Sequence, residues 1–110
     1  MAAIPESVRD LLDRVERRLP DRLLVEKPMF GTVAVMLDGE MVVAAHKDGS
    51  LLVRVSKDDD ADLMRRPEAS RLAMGGKLMG VGWIRVDEAA VADDDQLDFW
   101  ITRALERRSR

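Results

Sequence analysis

Met29-Phe-Gly-Thr-Val-Ala-Val-Met36-Leu-Asp-Gly-Glu-Met41-Val-Val-Ala-Ala-His46-Lys-Asp-Gly-Ser-Leu51-Leu-Val-Arg-Val55 is the stretch that decides the fold. It holds three β-rich runs, Thr32–Leu37, Met41–His46 and Leu51–Val55, separated by Asp38-Gly39 and Asp48-Gly49. Asp-Gly between apolar runs marks a hairpin, because tight hairpin turns need positive φ and glycine adopts it without strain. The runs therefore read as an antiparallel meander. Alternation sets Val33, Val35 and Leu37 against Thr32, Ala34 and Met36, and Met41, Val43 and Ala45 against Val42, Ala44 and His46. Both faces of the first two strands are apolar, whereas a sheet with one wet face alternates more cleanly. The second face is expected to be covered, by another part of the chain or by a second copy.

Outward toward the N-terminus, Val8, Leu11, Leu12, Val15 and Leu19 fall at helical spacing, with charged residues on the other face. Pro20 ends that helix and Asp21–Pro28 reads as a connector, in which Leu23, Leu24 and Val25 can form a short pairing segment. Toward the C-terminus, Ser56 and Asp59 have the spacing of a capping box before a short helix, about Asp58–Arg65. Arg71–Met74 and Val81–Val86 read as strands joined by Gly75–Gly80. Asp87 is placed as the cap of a short turn, Glu88–Val91, and Asp93 with Gln96 as a second box. A last helix carries Leu97, Trp100, Ile101, Ala104 and Leu105 on one stripe. The order is α-βββ-α-ββ-α. It predicts one α+β domain over residues 1–110 with a five-stranded antiparallel sheet.

The bulk properties narrow the function classes. A chain of 110 residues is long enough to bury one core without staples. Without cysteine it has neither disulfides nor thiolate chemistry, which suits a reducing cytoplasm. Its apolar runs fall well short of the roughly 20 residues that span a bilayer, so no membrane role is expected. A net charge of −3 disfavours nucleic acid as a partner.

Candidate chemistry is sparse. Asp58, Asp59, Asp60 and Asp62 fail as a calcium loop, since Leu63 and Ala69 stand at the sixth and twelfth places where glycine and glutamate are needed. They read instead as acids complementing a helix N-terminus. Lys77 within Gly75–Gly80 lacks the Ser/Thr and the following helix of a phosphate loop, so this stretch reads as a hairpin connection. His46 is the only histidine and has no second imidazole or thiol to share a metal. Arg103, Arg107, Arg108 and Arg110 read as cations at a helix C-terminus. No catalytic, cofactor or metal constellation emerges, and no enzyme activity is expected.

Met29-Phe30-Gly31, Met36-Leu37-Asp38-Gly39 with Met41, Leu51–Val55, Gly76-Lys77-Leu78-Met79, and Trp83 with Val86 together resemble the TfoX N-terminal domain family. Thr32 departs from the family pattern where a second glycine often stands, as does Leu78 where proline is common. The resemblance implies a secretion-chaperone-like α+β fold. The family is named after a regulator of natural competence that carries a second, C-terminal domain, for which this chain has no room. The expectation is thus a stand-alone domain, with neither the regulatory role nor any catalytic residue transferred.

Two functional expectations follow. The first is a non-catalytic interaction or regulatory module acting as a homodimer, with Met36 and Ala44 on the contact face. The alternative is a cleft for a small anionic ligand near Phe30, Arg54, Lys77 and Trp83, without cofactor.

Overall fold

The computed structural model describes residues 6–19, 24–29, 32–74 and 76–108. The meander forms as the sequence dictates. Strand β2 (Thr32–Leu37) turns into β3 (Glu40–His46) through Asp38 and Gly39, whose φ angles of 53° and 84° are the two positive values of a type I′ turn. The turn into β4 (Leu51–Arg54) uses Gly49 at φ 93°, and Asp48 Oδ1 accepts from the Ser50 backbone N–H and hydroxyl. Every pairing in the sheet is antiparallel.

Among the described residues the sheet has six strands, not the expected five, in the order β1 (Leu24–Met29), β2, β3, β4, β8 (Trp83–Val86), β5 (Ala69–Ser70). Strand β1 (Leu24–Met29) is the segment read as a connector; it pairs with β2 along its whole length. Pro28 permits this because β1 lies at the sheet edge, where a missing N–H breaks no ladder. At the other edge the paired strand precedes the expected Arg71–Met74, of which Arg71 and Leu72 lie in no strand. Ala69–Ser70 (β5) pairs with β8 (Trp83–Val86). Ala73–Met74 (β6) leaves the sheet and pairs with Lys77–Leu78 (β7) in a separate hairpin, turned through Gly76 at φ 82°.

Among the described residues, helices α1 (Glu6–Glu16), α2 (Lys57–Leu63), α3 (Glu88–Val91) and α4 (Asp94–Arg108) accompany the sheet. The first ends a turn earlier than its apolar stripe suggests, and i→i−3 bonds from the Arg18 and Leu19 N–H groups close it. Leu19 still reaches the core. Ser56 caps α2 by accepting from the Asp58 N–H, and Asp93 caps α4 by accepting from the Gln96 N–H. Asp87 makes no such cap; it pairs with Arg85 at 2.8 Å.

Helices α1 and α4 pack on one face of the sheet, where Leu12, Leu37, Leu51, Ile84, Leu97 and Trp100 form the main core. A β-bulge opposite Val35/Met36 deepens that core. Val35 pairs with Val43 and Met36 with Met41, so Val42 is the extra residue. Val42 and Val43 both join the main core, which strict alternation does not allow, and Met41 moves to the other face with Met36. No helix among the described residues is long and apolar enough to cross a membrane.

Candidate functional site

The sheet face turned away from α1 and α4 is a second, smaller apolar cluster. Ala34, Ala44 and Leu52 lie side by side in register across β2, β3 and β4 and are buried. Met36, Met41 and Trp83 flank them half-buried, and Leu72 and Met79, on either side of the β6–β7 hairpin, fold over them. Part of the chain itself therefore covers this face, one of the two covers the sequence allowed. Coverage is incomplete at the margins. Val25, which pairs with Met36, is 56% exposed, Leu78 on the hairpin 68% and Val81 53%.

The excursion that lays Leu72 and Met79 on the sheet is anchored by a buried ion pair. Asp60 of α2 is only 3% exposed. Its two carboxylate oxygens take both terminal nitrogens of Arg71, and Oδ2 also accepts the Gly82 N–H at 2.8 Å. Arg71 donates further to the carbonyls of Gly80 and Trp83. The Arg71 guanidinium, first, and the Gly82 amide hold the Asp60 carboxyl below the usual range against the opposing effect of burial. Asp60 is thus not a helix-dipole acid. Its role is invisible in a run of acids, because nothing local distinguishes the one that turns inward.

This anchor fixes Trp83 in place. Trp83 pairs across the sheet with Arg54, whose guanidinium carbon lies 5.1 Å from the indole centroid. Arg54, Lys57, Val81, Trp83 and Arg107 border a recess of about 250 Å³. Arg54 and Arg107 both face Glu40 Oε1, at 3.8 and 3.5 Å, and Arg108 approaches Oε2 at 3.6 Å. One carboxylate is thus shared among three guanidiniums at distances longer than the roughly 2.7–2.9 Å of a charge-assisted hydrogen bond.

The structure brings together two of the four expected cleft residues. Arg54 and Trp83 share the recess; Lys77 lies exposed on β7 and does not line it. Phe30 falls outside the described residues. Sequence reading missed Lys57 and Arg107 as recess residues, since only the packing of α4 beside β4 unites them. Of the two proposed contact residues, Met36 is half-buried and Ala44 is only 1% exposed. Trp100 is a core residue, as its stripe predicts, and its indole N–H donates to Glu68.

A larger hollow, about 400 Å³, lies between α1, the β3–β4 turn and α3. Its lining carries both signs of charge: Asp10, Arg14, Lys47, Asp48 and Glu88. Asp48 is already engaged there, since the Ser50 bonds and Arg85 outweigh burial and keep its carboxyl well below the usual range. His46 Nδ1 sits 3.3 Å from Asp48 Oδ1 at the same turn.

Compared with curated proteins, the chain finds no match. Against family models, residues 22–107 match the TfoX N-terminal domain. The matched span takes in the whole sheet, the β6–β7 hairpin and all of α4 but its last residue, and the chain belongs to the TfoX N-terminal domain family.

Proposed function

We propose that this domain is a non-catalytic interaction module that works as a homodimer through the sheet face opposite α1 and α4. One observation carries the reading: that face is apolar beyond what its own chain covers, with Met36 and Met41 half-buried and Val25, paired with Met36, more than half exposed beside them. Contiguous exposed apolar surface on a soluble domain marks an interaction site. Methionine suits such a surface, because its unbranched, polarisable side chain adapts to a partner.

The sheet edges are poor alternatives. Strand β1 carries exposed Lys27 and Pro28, which blunt strand addition, and β5 is two residues long. A partner is better received on the face, where two copies related by a two-fold axis would meet with the same residues. A standard contact buries about 800 Å² per partner. That is roughly an eighth of the 6456 Å² surface of this chain, within reach of a face six strands wide.

Sedimentation velocity on wild-type protein and on Met36→Glu tests the reading. Met36 is partly exposed, so the variant should fold while placing a charge in the contact. The expected outcome is a dimer for wild type and a monomer of unchanged secondary structure for the variant. A variant that dimerises like wild type would show that this face is not the contact.

A further inference from the structure

We propose that the recess between β4, the 79–82 loop and the end of α4 binds the phosphate group of a small molecule. The recess shares Trp83 with the apolar cluster, but its cationic residues Lys57 and Arg107 stand outside that cluster, so its test does not require a dimer. Three cations border it from three elements: Arg54 from β4, Lys57 from the start of α2 and Arg107 from α4. A single carboxylate can be met by one guanidinium fork, whereas a tetrahedral dianion takes donors from several directions. Arg54 and Arg107 both make ion-pair contact with Glu40, and neither contact has the length of a strong hydrogen bond. Donors therefore remain for a ligand, with Glu40 acting as a weak internal competitor.

The other wall is apolar. Trp83 is half-buried and Val81 is 53% exposed, and both border the recess. They give the carbon portion of a phosphate monoester a surface to lie on. At about 250 Å³ the recess falls below the roughly 300–1,000 Å³ typical of drug-sized ligands, which restricts it to a small molecule. Arg54 contributes twice, as a donor and by holding the indole through its cation–π contact.

The test titrates inorganic phosphate into the full chain at constant ionic strength and follows both indole N–H resonances in proton–nitrogen spectra. Trp83 should shift saturably and Trp100, buried in the main core, should not. Arg107→Gln should weaken binding about tenfold, the loss expected for one charge-assisted hydrogen bond. Lys57→Gln, at an exposed position, should weaken it as well. Glu40→Gln should tighten it, because the competing carboxylate is gone. Phenyl phosphate identifies the source: tighter binding than inorganic phosphate assigns the recess to a monoester, and equal binding assigns it to the free ion. The proposal is overturned if Trp83 fails to saturate, if both Arg107→Gln and Lys57→Gln bind like wild type, or if Glu40→Gln weakens binding. The first outcome leaves only general ionic screening, and the last removes the competitor role on which the site is built.

Discussion

Replacing Asp60 by alanine should destabilise the domain far more than its place in an acidic run suggests. Asp60 is 3% exposed and accepts from both terminal nitrogens of Arg71 and from the Gly82 amide. Truncation leaves the Arg71 guanidinium, itself largely enclosed, without its counter-charge, and leaves the Gly82 N–H without its acceptor. Removing one partner of a buried ion pair typically costs about 3–5 kcal/mol, because the other charge stays desolvated. For a domain of this size each kcal/mol lowers Tm by roughly 4 °C, so the fall should be of order 12–20 °C. The assay is thermal unfolding by circular dichroism at neutral pH, with the near-ultraviolet tryptophan band read alongside. That band should change, since Arg71 also holds the Trp83 carbonyl. Asp58→Ala serves as the control: Asp58 is exposed, and its loss should cost at most a few tenths of a kcal/mol in helix-dipole interaction. A loss below about 1 kcal/mol for Asp60→Ala would refute the reasoning, because it would place the pair in the weak surface class. Removing Arg71 as well should cost less than the sum of the two single changes.

Further outcomes follow from other contacts. Glu16 of α1 faces Arg9 and Glu26, and burial, then Glu26, pushes its carboxyl up to about 7. A raised carboxyl favours folding fully below its unfolded value of 4.5, and that contribution fades as pH rises through about 7. Glu26, held down to about 2 mainly by Arg9, acts in the opposite sense at acid pH. Thermal melts should therefore show declining stability from pH 4.5 to about 7, and Glu16→Gln should flatten that slope; an unchanged slope would remove Glu16 as its source. Ala44→Asp should unfold the domain, whereas Met36→Glu should not, because Ala44 is 1% exposed and Met36 half-buried. Equal melting curves for the two would contradict the placement. Gly49→Ala should cost about 1–2 kcal/mol, since φ is +93° and the new Cβ would lie 2.6 Å from Glu88 Oε2; a neutral result in denaturant unfolding would count against this strain.

The residues that made the fold legible are those whose meaning is local. Asp38-Gly39 specifies its turn through backbone φ alone, and Ser56 and Asp93 cap helices by bonding to amides two or three residues on. Apolar periodicity placed the α1 and α4 stripes and Trp100 in the core. What escaped depends on packing between distant segments. Leu24–Met29 contains a proline and looks like a connector; only its position at the sheet edge makes it a strand. The bulge at Val42 reverses the face of Met41 without any local sign, since the run Met41–Ala45 is apolar throughout. Asp60 and Arg71 are 11 positions apart, and Arg107 reaches the recess from the opposite end of the chain. Of the residues expected to share a cleft, Arg54 and Trp83 lie together because direct cross-strand pairing unites them, while Lys77 lies apart because its loop forms a hairpin of its own.

The dimer is the claim on which the proposed function stands, and native mass spectrometry of freshly purified protein tests it most directly. Wild type should give a species of two 12.4 kDa copies, and Met36→Glu a single copy at the same concentration. A wild-type chain that stays at one copy across the micromolar range would contradict it.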